Sequence, residues 1–143
     1  MKKFFTCVGL VVLTAILLKS VKITVVKGES MLPSVSDGAV VLAIEKTPQV
    51  GKLYLVNVDG TLMIKRCVAA PNDVIRIDDN RFYRNGVLIK QDFVKDGIVG
   101  SNGSWDCDSW FFLGDNRNNS IDSRFWESNP KAYYEVIFVY GFK

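Results

Sequence analysis

The chain has 143 residues, 48% of them hydrophobic and 23% charged, a composition that indicates one folded domain and excludes a disordered chain. Its net charge of +3 comes from residues 1–27, which hold five lysines and no acid, whereas the other 13 basic residues accompany 15 acidic ones. A slightly acidic folded part argues against a nucleic-acid partner. The sequence has no histidine and only three cysteines, which excludes Ser-His-Asp and Cys-His catalysis, imidazole-dependent metal sites and a four-thiolate zinc site. We therefore predict no metal and no cofactor, and any hydrolytic chemistry must use Lys, Asp, Glu or Tyr as proton acceptor.

The first predicted element is an apolar segment over residues 4–18, which carries no charge and follows two lysines. As a helix it would span about 22 Å, so crossing a hydrocarbon core of roughly 30 Å requires residues 19–26 as well, with Lys19 and Lys22 reaching toward the headgroups. A cleavable signal peptide has a similar start, but no small-x-small pair follows the segment. We therefore predict an uncleaved single-pass transmembrane helix and stalk over residues 1–26, with the N-terminus inside.

Beyond residue 26 the sequence predicts a mainly β domain of short antiparallel strands, occupying residues 27–143. Short apolar or alternating runs are separated by Asp-Gly, Asn-Gly and proline turns. The predicted strands cover residues 39–44, 53–58, 62–69, 74–77, 81–83, 87–89, 110–113 and 135–140. Residues 101–104 and 116–123 are predicted loops, and one or two helical turns are expected near residues 123–127.

The first candidate for chemistry is Ser30, which lies between the apolar segment and the first predicted strand. Gly28 precedes it by two residues and Pro33 follows by three, a setting of irregular backbone in which a hydroxyl and nearby N–H groups can face a ligand. An ordinary turn serine is the alternative, and it is the more common occurrence of such a local pattern.

The second candidate is Lys65, in the predicted strand over residues 62–69. Strand alternation places Met63, Lys65 and Cys67 on one face, so Lys65 shares its face with apolar neighbours. Desolvation lowers the pKa of a lysine toward about 7–8, the range in which it serves as a general base. The alternative is an edge-strand lysine with its ammonium group in water.

The third candidate is the polar loop over residues 114–124, which follows an apolar predicted strand. Its dense short polar side chains suit a loop that hydrogen-bonds to itself and holds a fixed shape. Asp122 and Arg124 are predicted to form an ion pair within it.

Together these segments resemble bacterial signal peptidase I, a family of Ser-Lys dyad serine proteases. The matching motifs occur in family order: SMLP at residues 30–33, DGAVV at 37–41, KR at 65–66, PND at 71–73 and GDNRNNSIDSRFW at 114–126. The last motif matches at nearly every position and is highly specific. The resemblance implies a signal-peptidase-type catalytic β domain, held outside the bacterial cytoplasmic membrane by its anchor, that cleaves exported preproteins after small residues at −1 and −3.

The resemblance also implies residue roles. Ser30 is the nucleophile and its N–H helps hold the oxyanion, while Lys65 is the base. Ser120 orients the lysine, and Asp122 and Arg124 brace the site. Gly28 and Met31 lie at the substrate cleft or oxyanion hole. The expected partners are preprotein signal peptides and membrane lipid.

Four features differ from the family pattern. Gly28 stands where many members carry a hydroxyl residue, Asn118 stands where Asp is usual, the last residues fit poorly, and the chain is compact. A dedicated member that processes a pilin-like or conjugation-system substrate is therefore one alternative. A self-cleaving repressor-type Ser-Lys protease would need a DNA-binding domain and a cleavable linker, which the sequence lacks. A non-enzymatic, membrane-tethered β module is the third. For Cys67 and Cys107, a disulfide and two separate buried thiols are equally consistent with the sequence.

Overall fold

The computed structural model describes residues 20–141, which form ten strands in two antiparallel sheets. The six-stranded sheet has the order β1-β2-β10-β3-β4-β9, and the four-stranded sheet has the order β7-β6-β5-β8. The strands are β1 Val21–Val25, β2 Val40–Glu45, β3 Leu53–Val58, β4 Thr61–Ala69, β5 Val74–Asp78, β6 Arg81–Arg84, β7 Val87–Leu88, β8 Gly103–Asp106, β9 Phe111–Leu113 and β10 Ala132–Tyr140. The predicted mainly β, antiparallel fold is confirmed.

Local differences from the sequence prediction have identifiable causes. Gly103 and Ser104, the first half of β8, were expected to lie in a loop, but β8 pairs with β5 along four residues. Strand β1 lies within the segment assigned to the stalk, and pairing with β2 gives it a place at the sheet edge. The helical turns expected near residues 123–127 are wrong, since residues 123–125 form a turn and a short 3₁₀ helix lies at Arg117–Asn119 instead.

The hydrophobic core is divided into three clusters. One packs Met31, Val41 and Leu55 on one side of the six-stranded sheet. A second gathers aromatic side chains around Phe112, whose ring stacks on Tyr133 at a centroid distance of 5.7 Å. The third, which includes Ile75, Phe82 and Leu113, joins the β4–β9 end of the larger sheet to the smaller sheet.

Two loops leave the larger sheet and meet beside β4. The β1–β2 connection, residues 26–39, carries Ser30, and the β9–β10 connection, residues 114–131, begins directly after the short strand β9. Strand β9 pairs only with the second half of β4, starting at Arg66. Among the described strands, none pairs with the first half of β4 on that side, so the two loops have room at Lys65.

The predicted transmembrane helix over residues 4–18 lies outside the described residues. Within residues 20–141, no helix is sufficiently long and apolar to cross a membrane.

Candidate active site

The loop that carries Ser30 has a fixed shape. Gly28 has a φ of +89°, a conformation that favours glycine, and its N–H donates to Asp37 Oδ1 at 2.7 Å. The N–H of Val35 donates to the carbonyl of Met31 at 2.9 Å, which closes a turn just after the serine. Met31 itself is only 1% exposed and packs in the core. Its side chain therefore fixes the loop to the sheet.

Ser30 and Lys65 lie in direct contact. Lys65 Nζ is 2.9 Å from Ser30 Oγ and donates a second hydrogen bond to the carbonyl of Ile64, also at 2.9 Å. The lysine is 3% exposed, although 35 residues separate it from the serine in sequence. The fold thus places the two candidates from the sequence, Ser30 and Lys65, in contact with each other. A buried amine within hydrogen-bond distance of a hydroxyl is the arrangement that proton transfer between them requires.

Burial of Lys65 changes its acidity. Desolvation lowers the pKa of Lys65 from 10.5 to about 8, whereas the negative charges of Asp122 and Asp115 partly oppose this effect. Among the described residues, no carboxylate forms an ion pair with the lysine. A substantial neutral fraction is therefore present near pH 8, and only the neutral amine accepts a proton.

The loop over residues 114–124 holds the serine loop in place. The N–H of Asn116 donates to the carbonyl of Ser30 at 3.0 Å, and its side-chain Nδ2 donates to the carbonyl of Glu29 at 3.1 Å. Gly114 lies so close that a Cβ at this position would be 2.6 Å from the Ser30 carbonyl oxygen and 2.3 Å from Ser120 Oγ. Close approach thus requires glycine at position 114.

The predicted ion pair of Asp122 and Arg124 is confirmed. Arg124 Nε and Nη2 donate to the two carboxylate oxygens of Asp122 at 2.7 and 2.9 Å, and Asp122 is fully buried. Asp122 also accepts the N–H of Gly114 at 3.0 Å, while Arg124 donates to the carbonyl of Arg117 at 2.8 Å. The pair therefore ties the beginning, middle and end of the loop together.

Two further arginines, Arg66 and Arg117, support the site. No role for Arg66 was predicted from the sequence. Arg66 makes a two-point ion pair with Asp115, at 2.8 and 2.6 Å, and its guanidinium lies 4.1 Å from the ring centroid of Phe93. Arg117 is 3% exposed and donates to the carbonyls of Gly114 and Val99. Burial lowers the pKa of Arg117 to about 10. Strand alternation predicts that Arg66 and Lys65 lie on opposite faces of β4, but it does not predict the ion pair of Arg66 with Asp115.

The side chain of Ser120 is buried at the same place. Its Oγ has no hydrogen-bond partner within residues 20–141. Since buried hydroxyls normally have a partner, this one has an unused donor and acceptor beside Ser30 and Gly114.

A cavity of about 270 Å³ opens beside the Ser30–Lys65 pair. Its lining mixes polar and apolar side chains and comprises residues 24–27, Ser30, Leu55 and residues 62–65. A larger cavity of about 510 Å³ includes Trp105, Trp110 and Trp126 and lies away from both Ser30 and Lys65. The smaller cavity is therefore the one that adjoins the reactive groups.

The two cysteines of the described region are free thiols, and both are buried. Burial raises the pKa of Cys67 to about 12 and that of Cys107 to about 11. Protonated thiols with such pKa values are poor nucleophiles, so they offer no alternative to the serine.

The chain belongs to the signal peptidase family, peptidase S26, whose family model matches residues 1–135. It is 29% identical over 135 residues to Probable signal peptidase I-1 of Synechocystis, an alignment that covers 74% of this chain and 63% of the relative. It is 28% identical over 96 residues to Probable signal peptidase I-2 of the same organism, covering 60% and 44%. Identity to Signal peptidase I of Bacillus amyloliquefaciens is 26% over 117 residues, covering 70% and 63%. The chain thus spans less than two thirds of the length of these relatives.

Proposed function

Because the chain belongs to the peptidase S26 family, we propose that it is a signal peptidase, a serine endopeptidase with Ser30 as nucleophile and Lys65 as general base. The observation that carries this proposal is the 2.9 Å contact between Ser30 Oγ and the Nζ of a lysine that is 3% exposed. Burial supplies the low pKa and proximity supplies the geometry, the two properties that a serine–lysine dyad needs.

In the proposed first step, neutral Lys65 accepts the hydroxyl proton of Ser30 while Oγ attacks the scissile carbonyl carbon. The carbonyl π electrons move to oxygen and form an oxyanion. The lysine then gives its proton to the leaving amine as the carbon–nitrogen bond breaks, which leaves an acyl-serine. In the second step Lys65 takes a proton from water, the hydroxide attacks the ester, and the proton returns to Ser30 Oγ.

The donor that we propose for the oxyanion is the N–H of Ser30, which makes no hydrogen bond within residues 20–141. The N–H of Gly28 is already bonded to Asp37 at 2.7 Å. Gly28 therefore shapes the loop in this conformation, and its role at the oxyanion would require that bond to open.

The supporting residues act through the lysine and the loop. We propose that Ser120, with its unbonded buried hydroxyl, orients Lys65 during the reaction. The buried ion pair of Asp122 and Arg124 braces the loop that carries Ser120 and contacts Ser30. None of these side chains needs to touch the substrate for this role.

The proposed substrate is an extended signal peptide with small residues at −1 and −3. The unpaired first half of β4 offers backbone groups for such a strand, and both Ser30 and Lys65 line the adjoining cavity of about 270 Å³. The products would be a mature exported protein and a released signal peptide.

We also propose that the apolar segment over residues 4–18 anchors the catalytic domain, whose sheet begins with β1, to the outer face of the bacterial cytoplasmic membrane. An exposed apolar surface next to this segment supports the proposal. Strand pairing aligns Ile23 with Leu42 and Phe138, and Val25 with Val40 and Tyr140, on one face of the sheet. Ile23 is 71% exposed and Phe138 57% exposed, which suits contact with lipid better than with water.

The experiment is to map the cleavage of a model preprotein with an Ala-x-Ala site by mass spectrometry, with the full chain in detergent. We expect one cut after the second alanine, and no cut when that alanine is replaced by a bulky residue. A folded chain that leaves this substrate and a pilin-like preprotein intact would overturn the proposed function. Cleavage of the pilin-like substrate alone, lost in Ser30→Ala and Lys65→Ala, would establish a dedicated peptidase with the same dyad.

A further inference from the structure

We propose that Asn116 is a positioning residue, whose side-chain amide fixes the peptide plane that presents the Ser30 N–H to the oxyanion. The inference rests on the proposed function, because it concerns the reaction at Ser30. It extends that function to a residue outside the dyad and outside the bracing ion pair.

The contacts of Asn116 are well defined. The residue is 6% exposed, and its Nδ2 donates to the carbonyl oxygen of Glu29 at 3.1 Å. The partner is a backbone carbonyl, which only accepts hydrogen bonds, so the NH₂ end of the amide must face it. The backbone N–H of Asn116 donates separately to the carbonyl of Ser30 at 3.0 Å. Substitution of the side chain therefore removes one of these bonds and leaves the other.

The geometry of a peptide bond connects this contact to the oxyanion. The C=O of Glu29 and the N–H of Ser30 belong to the same planar peptide unit, and in a trans peptide they point in opposite directions. A donor that holds the Glu29 carbonyl toward residues 114–124 therefore directs the Ser30 N–H away from that loop. Within residues 20–141 the Ser30 N–H has no acceptor, so it is available to a substrate oxygen.

The local backbone holds this plane through a single hydrogen bond. Within the loop, the Glu29 carbonyl accepts one bond, from the N–H of Leu32 at 3.1 Å. The amide of Asn116 adds the bond that connects the plane to the rest of the site. Preorganised donors matter because a donor that must first reorient loses part of its stabilisation of the oxyanion.

The test compares Asn116→Ala and the nearly isosteric Asn116→Leu with Asn118→Ala as control, all in the full chain in detergent. Asn118 lies on the same loop but is exposed. For both Asn116 variants we expect kcat to fall about 10- to 100-fold, less than the 10²–10³ for complete loss of an oxyanion donor, because the Leu32 bond remains. KM should stay within about threefold of wild type, the pH midpoint of kcat should match that of Asn118→Ala, and both Asn116 variants should remain folded at the assay temperature, with the melting temperature lowered by no more than the loss of one hydrogen bond requires.

A peptide aldehyde ending in alanine separates positioning from general damage. Ser30 Oγ adds to the aldehyde carbon and the serine proton passes to the aldehyde oxygen, which gives a hemiacetal whose oxygen occupies the oxyanion position. We expect its inhibition constant to rise by about the same factor as kcat falls.

Three results would overturn the inference: a kcat within about threefold of the control, an unchanged aldehyde inhibition constant, or a loss of activity that follows loss of folded protein or a displaced pH midpoint. An inactive wild type, or an active Ser30→Ala, would instead overturn the proposed function and this inference with it. An active wild type with unaffected Asn116 variants overturns the inference alone.

Discussion

Lys65 and Arg66 are adjacent in β4 but have opposite electrostatic environments. Arg66 forms a two-point ion pair with Asp115, whereas Lys65 contacts the hydroxyl of Ser30 and the carbonyl of Ile64. Desolvation is the largest effect on Lys65, and the negative charges of Asp122 and Asp115 oppose it only in part, so its pKa falls to about 8. Both carboxylates have an arginine partner, and among the described residues neither forms an ion pair with the lysine.

The pH dependence of catalysis should follow this lysine. With the pKa of Lys65 at about 8, the neutral base is scarce at pH 6 and predominates at pH 9, so kcat/KM should rise about tenfold per pH unit below 8 and level off above it. Steady-state kinetics on a model preprotein between pH 5 and 9.5 measures this. A flat profile across that range would contradict a titrating lysine base.

The buried lysine should also reduce stability. Its pKa is about 8 when folded and near 10.5 when unfolded, so stability rises with pH between these values, where only the unfolded chain keeps the proton. Below pH 8 the folded chain bears the full cost of the buried charge. Lys65→Met should therefore be more stable than wild type at pH 7, by as much as about 3 kcal/mol, and the difference should shrink toward pH 10.

Denaturant unfolding at several pH values measures that difference. The buried thiols of Cys67 and Cys107 also make stability depend on pH, but they do so equally in both chains and cancel in the comparison. Lys52→Met is the matched control, since Lys52 is exposed and its substitution should change the free energy of unfolding by less than about 0.5 kcal/mol. Equal stability of Lys65→Met and wild type at every pH would argue against a desolvated lysine.

The ion pair of Asp122 and Arg124 should be important for folding. Asp122→Ala leaves the guanidinium of Arg124, whose side chain is 5% exposed, without its carboxylate and removes the acceptor of the Gly114 N–H. We expect a loss of about 3–5 kcal/mol in the free energy of unfolding. Asp78→Ala is the control, because Asp78 is paired with Arg76 at the surface and should change stability by less than about 1 kcal/mol. Similar effects of the two substitutions would refute the bracing role.

Ser120 should affect activity without affecting stability. Its buried Oγ has no partner among the described residues, so Ser120→Ala removes no hydrogen bond seen there and should leave the melting temperature unchanged or raised. If the hydroxyl orients Lys65 in the reaction, kcat should fall about 10- to 100-fold. The exposed Ser101 provides the control, as Ser101→Ala. Full activity of Ser120→Ala would leave the orienting role without support.

Much of the sheet could be predicted from the sequence because its strands are short apolar or alternating runs separated by turn residues. The prediction for residues 53–58 matches β3 at both ends, and the ion pair of Asp122 and Arg124 was expected within the dense polar loop over residues 114–124. Strand β8 was missed because Gly103 and Ser104 have low strand propensity, and pairing with β5 overrides it.

The site itself could be predicted only through motif order. Local patterns gave Ser30 and Lys65 as weak candidates, and no local rule brings residues 35 positions apart to 2.9 Å. The roles of Arg66 and Asn116 depend on long-range contacts, with Asp115 and with the carbonyl of Glu29. Such contacts are set by how the two loops pack together, which spacing along one segment does not reveal.

The most direct test of the dyad is cleavage of a model preprotein by wild type, Ser30→Ala, Lys65→Ala and Lys65→Arg at pH 8, with folding of each variant checked by melting temperature. The account predicts that wild type cleaves and that all three variants are inactive, since arginine keeps the charge but does not release its proton. Substantial cleavage by folded Lys65→Arg or Ser30→Ala would contradict the assignment of the base or of the nucleophile.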